Sequence, residues 1–187
     1  MSIWQRLLIR VRGGIEPMGK MISPNGMVFL REVEGWQLMP YNDEGCNLTI
    51  GCGHKLTFQE LNTGLIELNG RLFAWRGGLT DDQVRELKDK DSRPVEAVIN
   101  KAVLVPLSDN QFDALASFIF NAGVNAFSKS GVQKRLNAAD YSKVPAELSK
   151  WIYMTDKRTG EKRKTKGLQN RRDKEISLWN GLWKSNQ

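Results

Sequence analysis

The sequence predicts a mixed fold, mostly helical, with a small antiparallel sheet in its first half. Three observations carry that prediction. Apolar runs at helical spacing begin just after the hydroxyl residues Ser23, Thr80 and Ser108. Residues 38–56 alternate in polarity around the turn-forming run Asn42-Asp43-Glu44-Gly45. Asn69-Gly70 stands between two further apolar stretches, the pattern of a two-residue type I′ hairpin turn.

Taken in order, Trp4, Leu7, Leu8 and Val11 fall at i, i+3, i+4 and i+7, with Arg6 and Arg10 on the other side. This predicts a short amphipathic helix closed by Gly13-Gly14. Residues 1–22 are therefore read as a helical extension preceding one domain over 23–187. The extension either lies on the domain surface or meets a membrane as a basic anchor. One short helix anchors weakly, which favours the first reading. Ser23-Pro24 opens the next helix: a hydroxyl N-cap, then a proline where its missing N–H does no harm. That helix carries Val28, Phe29, Leu30 and Val33 and stops near Gly35. Glu34 thus falls at a helix C-terminus, where the dipole disfavours negative charge. The hairpin at 64–75 is expected to extend the sheet of residues 38–56 or to border a cleft.

From Thr80 the pattern is helical, with Asp81 and Asp82 suited to a first turn and Val84, Leu87, Val95, Val98, Ile99 and Ala102 on one face. Pro94 predicts a kink or break in that run. Ser108 to Gln111 is a capping box ahead of the nearly all-apolar stretch 112–120, which Asn121 and Gly123 end. Shorter helices are expected near 130–137 and 143–153. A basic polar loop follows at 155–167, then a last helix near 168–180 that ends at Asn180-Gly181.

With 187 residues, the chain is one domain with room for two lobes, and it can hide roughly two thirds of its unfolded surface. Its 40% hydrophobic and 26% charged content are ordinary for a globular protein. The +7 formal charge is unevenly placed: residues 129–187 hold 15 Lys/Arg against 6 Asp/Glu, so the rest of the chain is slightly acidic. A polyanion suits that C-terminal face, and nucleic acid, anionic lipid and acidic wall polymer all qualify. Two cysteines, Cys46 and Cys52, are too few for a disulfide framework, and one histidine cannot build a multi-histidine metal site. The cysteines and His54 read as structural residues, with no metal expected. No run of about 18 apolar residues occurs, and Arg6, Arg10 and Arg12 interrupt the only stretch that could serve as a signal peptide.

One constellation carries chemistry. Glu34, Asp43 and Thr49 place an acid, a second carboxylate and a hydroxyl on a helix end and a hairpin. Cleaving a glycosidic bond needs an acid to protonate the leaving oxygen and a carboxylate to position water or trap the sugar. Taken singly, each residue is equally at home as a solvated helix end, a turn former and a strand residue.

The joint pattern is more specific. Glu-x8-Asp-x5-Thr, with Glu34-Gly35 at its start and Thr49-Ile-Gly-Cys-Gly-His54 at its end, resembles the phage-type lysozymes, the endolysins of glycoside hydrolase family 24. The resemblance continues through Leu107-Ser-Asp-Asn-Gln-Phe-Asp-Ala-Leu115, Phe120-Asn-Ala-Gly123 and Gly167-Leu-Gln-Asn-Arg-Arg172. It covers roughly residues 23–183; residues 1–22 and the hairpin 64–76 look like additions. The resemblance implies a lysozyme-like α+β fold, with a small β-containing lobe over about 23–79, a helical lobe over about 80–187 and a cleft between them. It implies hydrolysis of the β-1,4 bond between N-acetylmuramic acid and N-acetylglucosamine in bacterial peptidoglycan, without a cofactor. Glu34 would be the general acid, and Asp43 and Thr49 would hold the water of an inverting displacement. Phe120, Asn121 and Ser130 match cleft-lining positions, and Arg171 matches the arginine that pairs with the acid. His54 is counted with the substrate-side residues; a structural bond to backbone or a carboxylate is set beside a proton-shuttle role.

The cluster Lys157, Arg158, Lys162, Arg163, Lys164, Lys166, Arg171 and Arg172 lacks interleaved aromatics and any nucleic-acid signature, so the expected partner is an anionic cell envelope. The expected state is a monomer, held in host or producer cytoplasm until a membrane lesion made by another protein releases it to the periplasm and wall. Two other readings are a lytic transglycosylase and a cationic wall- or membrane-active protein on the same fold.

Overall fold

The computed structural model describes residues 19–43, 45–156 and 158–185. The helix expected over residues 4–11 lies outside them.

The first helix, α1 (Pro24–Glu34), starts as expected: the Ser23 hydroxyl accepts from the Gly26 amide, and Gly35 at φ 82° ends the helix in a conformation that favours glycine. Three short strands follow, β1 (Gln37–Asn42), β2 (Leu48–Gly51) and β3 (His54–Lys55), and they pair antiparallel in the order β1-β2-β3. Tyr41 lies opposite Thr49, and Ile50 opposite His54. A one-and-a-half-turn helix, α2 (Phe58–Thr63), comes next; it was not expected, although Thr57 and Glu60 form a complete capping box around it.

The hairpin at Asn69-Gly70 forms as β4 (Leu65–Leu68) and β5 (Arg71–Ala74), with the positive φ values of 49° and 78° that a type I′ turn requires. It does not extend the first sheet. It stands as its own two-stranded sheet, because Ile66 and Leu68 turn into the small-lobe core and the Trp75 indole donates to the Glu60 carbonyl at 2.8 Å.

Next comes α3 (Asp81–Ala102), 22 residues long and unbroken at Pro94. The expected break is absent because both halves of this helix are anchored. Val84 and Leu87 belong to the small-lobe core with Ile50, Leu56, Ile66, Leu68, Trp75 and Leu79. Val95 and Ile99 belong to the larger core with Phe29, Phe112, Leu115, Phe118 and Phe127. Phe29 also brings α1 into the larger core, so a boundary at 79/80 is crossed from both sides.

At the centre of the larger core, α4 (Asp109–Ala122) is buried without interruption from Phe112 to Ile119, and Ser108 and Gln111 form its capping box. The short helices α5 (Val124–Ser128), α6 (Gly131–Asn137) and α7 (Val144–Leu148) wrap it, with a 3-10 turn at Tyr141–Lys143. The helix expected over 143–153 is thus only five residues long, and α5 was not anticipated. The segment read as a basic loop contains a hairpin, β6 (Tyr153–Thr155) with β7 (Lys162–Lys164). All six of its strand residues are exposed, so no burial alternation marked it in the sequence. The last helix, α8 (Lys166–Trp179), packs along α4.

Candidate active site

Glu34 is the final residue of α1, so its carboxyl projects from the helix end over the turn between β2 and β3. Gly53 in that turn has φ 78°, and a Cβ there would lie 3.8 Å from Glu34 Oε2. The closest polar partner of Glu34 is Arg171 on α8, whose Nη2 donates to Oε1. The pairing expected of Arg171 is therefore present.

Arg171 is itself held from three sides. Its Nη2 donates to the Ser117 carbonyl and hydroxyl, both at 3.2 Å, and its Nε donates to Glu175 Oε1 at 3.2 Å. Glu175 is fully buried and also accepts from the Ser117 hydroxyl at 2.7 Å and from Arg172 Nη2 at 2.9 Å. Burial pushes the Glu175 carboxyl up, against the pull of Arg172 and Arg171. Two guanidinium groups thus face two carboxyl groups where α1, α4 and α8 meet, a composition that makes burial of charge tolerable.

Asp43 stands in the β1–β2 turn under a different regime. Its Oδ1 accepts from the backbone amides of Gly45 and Asn47, both at 2.8 Å, and from the Asn47 side chain at 2.9 Å. Its Oδ2 takes the Lys55 ammonium at 2.9 Å. Lys55 and then Asn47 hold the Asp43 carboxyl well below the usual carboxylate range, so it is ionised at all ordinary pH values. Thr49, at the centre of the sheet and 1% exposed, donates its hydroxyl to the Asn47 carbonyl at 3.0 Å. Asn47 thereby ties Asp43 and Thr49 into one unit.

Tyr41 joins the two regimes. Burial, then the neighbouring Cys52 thiol and the carboxylates of Asp43 and Glu34, push its phenol up. Tyr41 is thus within electrostatic reach of both carboxylates, and sequence reasoning did not single it out.

The remaining expected residues divide. Asn121, at the end of α4, is exposed and accepts from Arg172 Nη2 at 3.0 Å, which ties it to the buried arginine–glutamate group. Phe120 is half-buried, with the Lys88 ammonium 3.7 Å above its ring. Ser130 caps α6, accepting from the Gln133 amide and donating to the Phe127 carbonyl at 2.6 Å; it also borders a surface concavity with Lys129, Gln133 and Lys134. His54 has Nδ1 2.9 Å from Asp91 and Nε2 3.0 Å from Glu60. Both ring nitrogens face carboxylates, so the ring is a strut joining β3 to α2 and α3. Burial lowers its proton affinity, but Asp91 and Glu60 outweigh it and the His54 value is raised.

The eight-member basic cluster also divides. Lys157 lies outside the described residues. Arg158, Lys162, Arg163, Lys164 and Lys166 are exposed, whereas Arg172 is 1% exposed and Arg171 faces Glu34. The surface charge is that of the β6–β7 hairpin; the arginine pair belongs to the site. Glu175 and Ser117 were also missed. The i+4 and i+3 spacing of Glu175 from Arg171 and Arg172 was visible in the sequence, but its burial was not.

A helix-end carboxyl braced by an arginine, with a turn carboxylate kept ionised, on a helical fold with a small antiparallel sheet, marks an enzyme of the lysozyme class. The chain belongs to the phage lysozyme family, whose model matches residues 31–175. It is similar to the SAR-endolysin of Escherichia phage Mu, at 38% identity over 152 residues, covering 81% of this chain and 76% of that one. The endolysin from Escherichia coli O157:H7 phage FAHEc1 has a similar structure, with TM-score 0.71 and 29% identity, covering 86% of this chain and 93% of that one. So does the muramidase domain of SpmX from Asticaccaulis excentricus, with TM-score 0.68 and 28% identity, covering 84% and 96%. The resemblance in the motifs is thereby borne out: the protein is a glycoside hydrolase that lyses peptidoglycan.

Proposed function

We propose that the protein is a muramidase that hydrolyses the β-1,4 bond between N-acetylmuramic acid and N-acetylglucosamine with inversion, and so causes cell lysis. The observation that carries this reading is the combination of a helix-end carboxyl gripped at one oxygen by Arg171 and a turn carboxylate kept ionised by Lys55 and Asn47. Glu34 stands at a helix C-terminus and acts as general acid on the leaving oxygen. Asp43, kept ionised by Lys55 and Asn47, accepts a proton-bearing partner rather than donating one. It suits orienting a water, with Thr49 as its second holder. Asn121, Phe120 and Ser130 are assigned to the sugar path. The reaction needs no cofactor.

Glu34→Gln is expected to lower wall-clearing activity by at least about 100-fold, the scale of a lost general acid. Activity within a few-fold of wild type would overturn the assignment. Product analysis decides the rest: the first-formed reducing end is expected with inverted configuration. Retention would reject inversion, and an anhydro-muramyl end would make the enzyme a lytic transglycosylase.

The exposed cations of the β6–β7 hairpin fit electrostatic contact with an anionic envelope, which acts beside catalysis. A Glu34→Gln protein that still permeabilised cells would instead favour the cationic, membrane-active reading. The protein acts as a monomer at the wall, after release from the cytoplasm through a lesion made by another protein. Fractionation of producing cells tests that route.

A further inference from the structure

Glu175 lies on α8, one turn beyond Arg171, with its side chain wholly out of solvent. A carboxyl group is seldom buried so completely unless its partners are fixed, because desolvation otherwise favours another arrangement. Here Oε1 takes three donors, from Ser117, Arg172 and Arg171, at 2.7, 2.9 and 3.2 Å, while Oε2 makes an ion-pair contact with Arg172 Nε at 2.8 Å outside hydrogen-bond geometry. Arg171 meets Glu175 through Nε and Glu34 through Nη2, two different atoms of one rigid plane. A guanidinium held only at Nη2 could still swing about its stem. Held at Nε as well, it presents Nη2 in one direction.

We propose that Glu175 is a positioning residue of the reaction: by pinning Nε of Arg171 it fixes the guanidinium plane that grips Glu34 and so aims the acid. The same carboxyl group holds Arg172, whose Nη2 reaches Asn121 at the end of α4, so one buried residue sets both the clamp on Glu34 and the tether of Asn121. The inference rests on the reading of Glu34 as the acid. Glu175 does not touch the reacting atoms and acts through Arg171.

The test is Glu175→Gln, which keeps the shape and removes the charge. On soluble peptidoglycan fragments kcat is expected to fall about tenfold, below the roughly 100-fold cost of a 1 Å misplacement, with KM within about twofold. A tenfold fall corresponds to about 1.4 kcal/mol of transition-state stabilisation. The discriminating step is a double-mutant cycle in the Arg171→Lys background. Lysine keeps the cation but has no plane to fix, so Glu175→Gln should then leave kcat unchanged while still lowering thermal stability. An unchanged kcat in the single variant overturns the proposal. So does the same fall in both backgrounds, or a rise in KM alone. If Glu175→Gln does not fold, Glu175→Asp, which keeps the charge but draws it back from Arg171 Nε, replaces it in the cycle; a full kcat there overturns the proposal equally. Glu34→Gln separates the two levels. If that variant is active, the acid assignment fails; if it is inactive while Glu175→Gln keeps its kcat, only the present inference fails.

Discussion

Glu34 and Asp43 are nearly equally exposed, at 23% and 21% of their side-chain surface, yet they are held by opposite means. Asp43 finds its donors close by in the chain, at Gly45, Asn47 and Lys55. The arginine that grips Glu34 is 137 positions away, and that arginine depends on α4 and α8. The setting of Glu34 is therefore a product of the assembled core, whereas Asp43 is organised by a turn. Damage to the first should reach the fold; damage to the second should reach only the chemistry.

The sharpest way to break this contrast is Arg171→Met. It removes the cation that Glu34 and Glu175 share; Glu175 keeps Arg172 and Glu34 is partly exposed, so the cost should fall below the about 3–5 kcal/mol of a fully buried pair broken at one partner. Urea unfolding should show that loss together with loss of activity. A fully stable Arg171→Met protein would mean that the arginine serves only the reaction. Asp43→Asn is the complement. Activity should fall by at least about 100-fold while the unfolding midpoint moves less than in Arg171→Met, because the amide oxygen can keep the Gly45 and Asn47 donors and only the exposed Lys55 pair is lost. A large drop in midpoint would show that the turn supports the fold after all.

The same division explains what the sequence disclosed. The caps at Ser23, Thr80 and Ser108 and the Asn69-Gly70 turn act within a few residues, and all four are where the sequence placed them. Pro94 does not break its helix, because an interior proline, at about 3 kcal/mol, is a local cost, and the long-range packing of Val84, Leu87, Val95 and Ile99 outweighs it. The β6–β7 hairpin was illegible because neither strand buries a face. Arg171 and Arg172 looked like two more surface cations because a run of charges does not say which members turn inward. Thr49 and Asp43 share Asn47, a link within six positions that spacing alone could suggest. The clamp on Glu34 was foreshadowed only by the family motif, and Glu175 behind it by nothing but helical spacing.

His54 offers a smaller, pH-dependent probe of the scaffold under the turn. Its folded value is raised above the ordinary 6.5 by Asp91 and Glu60. The bond network is thus fully stabilising below about pH 6.5 and weakens as pH rises through the folded value. Urea midpoints of the wild type should decline between pH 6 and 8.5, and His54→Gln, which cannot titrate, should be less stable at pH 6 but flatter across that range. Equal slopes in the two proteins would remove His54 from the account.

The smallest effect is expected where the basic cluster is purely a surface. Arg171 and Arg172 are spent on Glu34 and Glu175, so any long-range attraction to the envelope falls to Lys162, Arg163 and Lys164 on β7 with Arg158 and Lys166 nearby. Exposed charges act over about a Debye length, near 8 Å at physiological salt and about 3 Å at 1 M. Reversing Lys162, Arg163 and Lys164 to glutamate should therefore slow clearing of whole cell walls a few-fold at low salt, and the difference should disappear near 1 M. Thermal stability and turnover of short soluble fragments should stay at wild-type values, since no charge in the site has changed. Should fragment turnover fall as well, the hairpin would be coupled to the Arg171–Glu175 group through α8, and the division between a catalytic and a surface set of cations would fail.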